Sequence, residues 1–590
     1  MNYKSNLCNT KKIILTSLYL SMFTYIPSYA VTYNIDPIIT EGQVIYENGN
    51  GTFGKYFVDS NGKLQENIPA GGAMSQIVVS NKDGHELILN EYKSYIFRNN
   101  NAVAGGGAIF NEDDWDNTTV WGGGGTPIIT FGDNQIIKFI NNTVSNSFNT
   151  DTYASGGAIF NVANYYGSKS SIVFGINDEV LFSGNSAQKF GGAIFNLADH
   201  YDNRIAIISF GDNSNITFLN NKAETGGAIY NSAGGRETAN AEVQFGNYTH
   251  SKFTNNSATN KGGAIYNDGD LGKISGTFSG NNVISSDKSI TPLGGAIYTT
   301  KDITIYSDGD NENTKITEFK GNYVSQGDDK IDNAIWVETE NTQVGKNPTV
   351  ILQSLNTGSI QFDDQIDGGK VDGTTITRNG YQYNLKIQGD NTSKVILNNS
   401  VINANASLTD TNLYISETAF ADTRTNLNAN SGTVHFANGK SENYQINQLT
   451  SLESVNYTVD VDLTKLAPVP DTISTGEGSS GTVTISDINF NGELKDFNAQ
   501  ILKAQDDNIQ LGLSDNLKDK YNTTSTETIH TNDTVQANVN WKDKFNKYEQ
   551  TNTTTTGLSL GTTNTTNDSI EYLTKTTEGE KIYQVQWAIR

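Results

Sequence analysis

The chain has 590 residues, with 64 acidic against 40 basic side chains and a formal net charge of −24. Nucleic acid and anionic lipid repel such a chain, and no local basic patch offsets the charge. With 35% hydrophobic and 10% aromatic residues it is lean for a compact enzyme yet too aromatic for disorder, so it should fold around a thin core.

The N-terminus reads as an export signal. Lys4, Lys11 and Lys12 form a basic start, Ile13 to Ile26 is mostly apolar, and Ser28-Tyr29-Ala30 is a small-x-small cleavage site. The apolar run falls short of the roughly 20 residues needed to span a bilayer. Residues 1–30 are therefore expected to be removed after Ala30. The sole cysteine, Cys8, leaves with them, and the loss of three lysines takes the charge from −24 to −27. An exported chain without disulfides must draw its rigidity from backbone ladders or from length.

Repetition begins near residue 70. Gly-Gly-Ala-Ile-aromatic-Asn starts at Gly106-Gly107 (with Ala108 and Ile109), Gly156-Gly157, Gly191-Gly192, Gly226-Gly227 and Gly262-Gly263, and recurs at Gly294-Gly295 with Thr for Asn. Degenerate copies start at Gly71 and Asp332, so successive starts lie 35, 50, 35, 35, 36, 32 and 38 residues apart. Between copies falls Phe-x-x-Asn: Phe97 with Asn100, Phe139 with Asn142, Phe182 with Asn185, Phe218 with Asn221, Phe253 with Asn256, Phe278 with Asn281, and Phe319 with Asn322. Eight residues before the first five of these Phe stands another apolar residue: Leu89, Phe131, Phe174, Phe210 and Phe245.

Each unit reads as three short strands separated by turns, because helical periodicity is absent and Gly and Asn destabilise a helix interior. The predicted fold is all-β: a right-handed single-stranded parallel β-helix with a smaller β C-terminal region. Coils about 4.8 Å apart would set each Phe over the next Phe and each Asn over the next Asn. Pleat alternation puts Ala108 opposite Ile109 and Ile109 opposite Phe110, and leaves open whether the Ile or the aromatic column faces inward. Repeat lengths vary mainly after the Gly-Gly-Ala-Ile block, so the loops should emerge along one edge. That edge is the candidate binding surface, with Trp115, Trp121, Tyr165, Tyr166, His200 and Tyr201 as candidate contacts. Taken singly, each also reads as part of a solvated connector.

The alternation of Gly-Gly-Ala-Ile with Phe-x-x-Asn resembles the repeat of the chlamydial polymorphic outer-membrane proteins, which belong to the autotransporter adhesins. The resemblance covers about residues 70 to 340. It implies a surface-exposed β-helical passenger that adheres to host cells, held at the outer membrane by a C-terminal barrel. A translocator is not evident in this chain. Residues 521 to 580 are rich in Thr, Asn and Asp, and Tyr583, Val585, Trp587 and Ile589 alternate for one strand alone.

Four segments are expected: the signal at 1–30, the marked β-helix at 31–340, a degenerate continuation at 341–465, and a β cap with a polar tail at 466–590. The last boundary rests on Pro468, Pro470 and the Gly/Ser cluster up to Gly481. Enzyme signatures are sparse. Asp113, Asp114 and Asp116 form the one tight acidic cluster of the repeats, where a secreted polysaccharide lyase or hydrolase would need paired carboxylates. Asp133 and Asp212 sit in Phe-Gly-Asp-Asn turns, which a turn role explains. The histidines lack metal-site spacing and the mature chain lacks cysteine, so no cofactor is expected, with calcium at Asp/Asn turns the one ion left open. The expected activity is non-enzymatic attachment to a host-cell or surface receptor, protein or glycan. The alternatives are the carbohydrate-active enzyme and an antigenically variable structural surface protein.

Overall fold

The computed structural model describes residues 85–542 apart from 103–104, 114–125, 146–153, 165–166, 200–202, 213, 235–237, 313, 344, 496, 521 and 532–533. Ahead of these it describes the strands Tyr29–Tyr33, Ile38–Thr40, Gln43–Glu47, Asn50–Gly51, Phe57–Val58, Leu64–Gln65 and Met74–Val78. The signal's basic and apolar regions lie outside the described residues.

The fold is a parallel β-helix. In one coil the Phe-bearing strand Glu179–Ser183 is followed by the short strand Ser186–Ala187, the Gly-Gly-Ala-Ile strand Ile194–Ala198 and the strand Ile205–Phe210. The next Phe-bearing strand, Asn215–Leu219, then lies parallel to the first, with Phe218 opposite Phe182. The other sheets keep the same step, Ile194 facing Ile229 and Ile205 facing Asn240. The sequence suggests three strands per unit. The fourth is two residues long in this coil, and its one recurring mark is the Ala or Val two residues after each ladder Asn, as at Ala102, Val144, Ala187 and Ala258.

Side-chain columns follow from this register. Rings from Phe97 through Phe139, Phe182, Phe218, Phe253, Phe278 and Phe319 to Phe362 stack with centroids 4.4–4.9 Å apart. A second column, Phe131, Phe174, Phe210 and Phe245, meets the first edge to face at 6.2–6.5 Å. Each buried Phe contributes roughly 1.5–3 kcal/mol, and each aromatic pair roughly 0.5–1.5 more, so a core a few side chains wide suffices.

The Phe-x-x-Asn asparagines form a buried ladder. Asn100, Asn142, Asn185, Asn221, Asn256 and Asn281 each donate Nδ2 to Oδ1 of the next member at 2.8–3.0 Å, the last of them reaching Asn322. The backbone N–H of each donates to the same oxygen at 3.0–3.1 Å. The second amide hydrogen reaches a Phe carbonyl further back in the column. Asn142 donates to Phe97 O and Asn185 to Phe139 O, both at 3.0 Å, and Asn256 donates to Phe218 O at 2.9 Å. The residue before each ladder Asn has positive φ and is always Asn or Gly: Asn99, Asn141, Gly184, Asn220, Asn255, Gly280 and Gly321. The ladder ends at Asp364, whose carboxylate accepts from Asn322 Nδ2, Asn322 N and Gly321 N at 2.7, 2.8 and 2.8 Å.

The Gly pair makes the turn into the next strand. Gly191 has φ +60°, and a Cβ on Gly192 would collide with the carbonyl oxygen of Gly227 in the following coil. Pleat alternation fails just after it. Ala108 and Ile109 both belong to the main core, as do Ala158 and Ile159. The strand proper starts at Ile109, and the Ala precedes it in a bend where both N–H groups donate to one carbonyl, Ala158 O, at 3.0 and 2.9 Å. The Ile column thus faces inward, and Phe110, Phe160, Phe195, Tyr230, Tyr266, Tyr298 and Trp336 project to the opposite side. Most are buried there nonetheless, Tyr230 and Tyr266 being half-buried, and they stack at 4.6–5.2 Å from Phe110 to Tyr298 under flanking groups such as Phe190 and Leu293. The column ends in a polar knot in which Glu338 accepts from Tyr298 Oη, Trp336 Nε1 and Val371 N, and Lys261 Nζ donates to Tyr298 Oη at 2.9 Å. Burial pushes the Tyr298 hydroxyl far above its ordinary value, so it stays a donor to Glu338.

Beyond residue 340 the ladder continues with aliphatic columns such as Leu352, Ile387 and Leu408. Strands Val455–Asp462 and Ser480–Asn491 pair in parallel across the Pro468–Gly481 stretch. Antiparallel strands lie at both ends of the ladder. Tyr29–Tyr33 runs against Met74–Val78, and Thr534–Lys542 runs against both Phe497–Ala504 and Asn522–Thr531. Among the described residues no helix is long and apolar enough to cross a membrane.

Asn221→Ala should destabilise the protein by about 3 kcal/mol or more, because Asn185 N and Nδ2 lose their acceptor inside the core. Thr217→Ala, on the outer side of the same strand, should cost under about 1 kcal/mol. Urea denaturation of the two variants checks the contrast.

Candidate binding edge

The loops leave the rod between the Gly-Gly-Ala-Ile strands and the strands that follow. A second amide ladder closes their bases. Asn111, Asn161, Asn196 and Asn231 each donate Nδ2 to Oδ1 of the next column member, ending at Asn267, at 2.7–3.0 Å. The same amides reach across the loop. Asn196 Nδ2 donates to Ala206 O at 3.1 Å, and Asn231 Nδ2 donates to Ala241 O at 3.2 Å. Buried Ala163, Ala198, Ala206, Ala239 and Ala241 let the two strands approach at this corner. With entry and exit fixed by a buried amide, the loop between them can lengthen at little cost, since each doubling adds only about 0.6 kcal/mol of closure entropy.

The candidate contacts Trp115, Trp121, Tyr165, Tyr166, His200 and Tyr201 lie outside the described residues. Their stems are described: Glu112 Oε1 accepts from Asn164 Nδ2 at 2.7 Å, and Asn203 N donates to Thr238 Oγ1 at 3.1 Å. In the acidic cluster, Asp113 is the last residue of the strand Ile109–Asp113, while Asp114 and Asp116 lie outside the described residues. Asp133 and Asp212 accept backbone N–H groups from Ile176 and Asn247 at 2.8 and 2.6 Å, so each ties its turn to the next coil. Among the described residues, no group of three or more His, Cys, Asp or Glu side chains could hold a metal ion.

Among the titratable groups near the C-terminal end of the ladder that depart from their ordinary values are Asp471 and His435. Asp471 is fully buried and accepts from Glu442 N at 2.8 Å and Asp460 N at 2.5 Å. Burial, reinforced by the neighbouring Asp460 and Glu442 carboxylates, pushes it up to about 7. Burial lowers His435 to about 4. Its Nε2 donates to Asn412 Oδ1 at 3.1 Å, the orientation of that amide being fixed because its nitrogen donates to Asn391 O and Ser393 O.

These shifts have opposite signs. The Asp471 contribution is fully present below the ordinary 3.8 and is lost as pH rises through about 7. The His435 contribution is present above 6.5 and is lost as pH falls through about 4. Asp471→Asn should therefore remove the part of the stability loss that occurs between about pH 4 and 7. Amide hydrogen exchange at Glu442 and Asp460, followed across that range in both proteins, reads the effect where it originates.

Three stretches, residues 179–197, 215–232 and 250–268, match the Chlamydia polymorphic membrane protein (Chlamydia_PMP) repeat. Each match runs from a Phe-bearing strand through the ladder Asn to the end of a Gly-Gly-Ala-Ile strand. The matched unit is thus the recurring part of the coil, and it stops where the loops begin. The repeat is that of surface-exposed outer-membrane proteins. Among curated proteins, none matches the chain.

Proposed function

We propose that this chain is an exported attachment protein. Its rod stands at the cell surface and presents the loop edge to a host-cell or surface receptor, protein or glycan, without catalysing a reaction. Association with the outer membrane runs through a translocator of the autotransporter kind. The observation that carries this reading is the division of labour within the coil. The Phe and Asn columns hold one spacing while much of the length variation falls on one corner, behind a clamp that separates it from the core. A surface built so that its loops vary without disturbing their support suits recognition. The aromatic content of those loops, Trp115, Trp121, Tyr165, Tyr166 and Tyr201, suits contact anchors.

Replacing residues 114–125, 165–166, 200–202 and 235–237 with Gly-Ser linkers should abolish binding of the purified chain to cultured epithelial cells. Far-UV circular dichroism and the thermal midpoint should stay within error of the parent protein. Undiminished binding by the loop-replaced protein would contradict the edge as the contact surface.

A further inference from the structure

The next corner of the rod, between the strand Asn240–Gln244 and the Phe-bearing strand His250–Thr254, holds a residue that the fold does not require. Tyr248 has φ +57° in the turn there. Among the described residues, the other non-glycine positions in this region of backbone space are Asn or Asp, apart from Thr357, so Tyr248 is the only aromatic. An asparagine suits this slot. Asn134, at the matching position three coils earlier, has φ +54°. A bulky side chain is strained in this conformation, and such strain persists only where the surroundings impose it.

Burial explains the choice only in part, because Tyr248 keeps 39% of its surface exposed. The turn that displays it is built rigidly. Asp212 Oδ1 accepts from Asn247 N at 2.6 Å, Thr249 Oγ1 donates to Gly211 O at 3.2 Å, and Thr249 N donates to Gly246 O. Residues 272–275 form the same corner in the next coil, Gly272 N donating to Val243 O at 3.0 Å and Ser275 Oγ to Thr249 O, so Lys273 lies directly against this turn. The exposed Lys273 ammonium sits 4.6 Å over the Tyr306 ring, and Tyr306 Oη donates to Asp308 Oδ2 at 2.8 Å. An exposed ring on a rigid turn therefore shares its corner with the exposed Lys273 ammonium and the half-buried Asp212 carboxylate.

We propose that Tyr248 is the stacking platform of a shallow glycan site, taking the apolar face of a neutral pyranose while Lys273 and Asp212 bond its hydroxyls. A flat aromatic face with polar groups around it matches a sugar ring, which has C–H bonds on its face and hydroxyls at its rim. The local acids and the net charge of −24 disfavour sulfated and sialylated glycans. The site extends the attachment role to a second corner, and its contact does not depend on the loop edge.

The test uses the soluble chain in biolayer interferometry against immobilised oligosaccharides ending in galactose, N-acetylglucosamine or mannose, with sialyllactose and heparin fragments as anionic probes. At least one neutral probe should bind, Tyr248→Phe should keep that binding, and Tyr248→Asn should weaken it about ten-fold or more. Tyr248→Asn should also raise the thermal midpoint by relieving the strained φ, a result that a packing role for the ring would reverse. The loop-replaced protein should retain the glycan signal even when cell binding is lost, which separates this site from the edge. Binding to the anionic probes alone, no glycan binding at all, equal binding by Tyr248→Asn, or a lowered midpoint for that variant would each overturn the proposal.

Discussion

Parallel pairing in strict register is the constraint on which the molecule depends. With strands about 4.8 Å apart, a residue type recurring at one position of the coil must meet its own kind. Only side chains that pack or bond favourably with themselves can then line the core. Phe does so by offset stacking, with interplanar angles of 3–9° along the main column. Asn does so because its amide holds a donor and an acceptor on opposite sides. Gly is required where two backbones approach so closely that a Cβ would strike the next carbonyl.

The two Asn ladders have different tasks. The Phe-x-x-Asn ladder is directional: from Asn100 through Asn142 and Asn256 to Asn322, each Nδ2–H points toward the C-terminal end and each Oδ1 faces back. Its aligned amide dipoles therefore present their positive end to Asp364, an acceptor-only group that needs no further partner. The arrangement parallels an anion at a helix N-terminus, built from side chains rather than backbone. The Gly-Gly-Ala-Ile ladder instead works across the corner, pinning the stems of each loop while the loop itself varies.

Much of the rod was legible in the sequence because its signals repeat. Fixed phase between Phe182 and Asn185, held from coil to coil, leaves little but a stacked ladder that could use both residues. The face of the Gly-Gly-Ala-Ile strand was not legible. Alternation gives relative parity, and the bend before Ile109 breaks even that, so Ala108 and Ile109 share the core. The outward aromatic column was hidden for the same reason, since a hydrophobic side chain facing away from the main core is buried only by segments that carry no motif. The Asn or Gly before each ladder Asn was a readable signal for positive φ that pattern matching on Phe and Asn passed over. Asp471 and Tyr248 were not legible, because their properties come from contacts with the neighbouring coil. The candidate loop aromatics rest on composition and position in the coil.

Distance measurement along one outer column tests the register most directly. Lys138, Lys252, Glu318 and Gln361 share the same outward position of the Phe-bearing sheet. With Cys8 replaced by Ser, nitroxide labels go on cysteines introduced pairwise, Lys138→Cys being combined in turn with Lys252→Cys, Glu318→Cys and Gln361→Cys. Pulsed electron spin resonance should give separations near 14, 24 and 29 Å, about 4.8 Å for each of three, five and six coils. Separations that fail to rise in proportion to the number of coils would contradict the stacked rod.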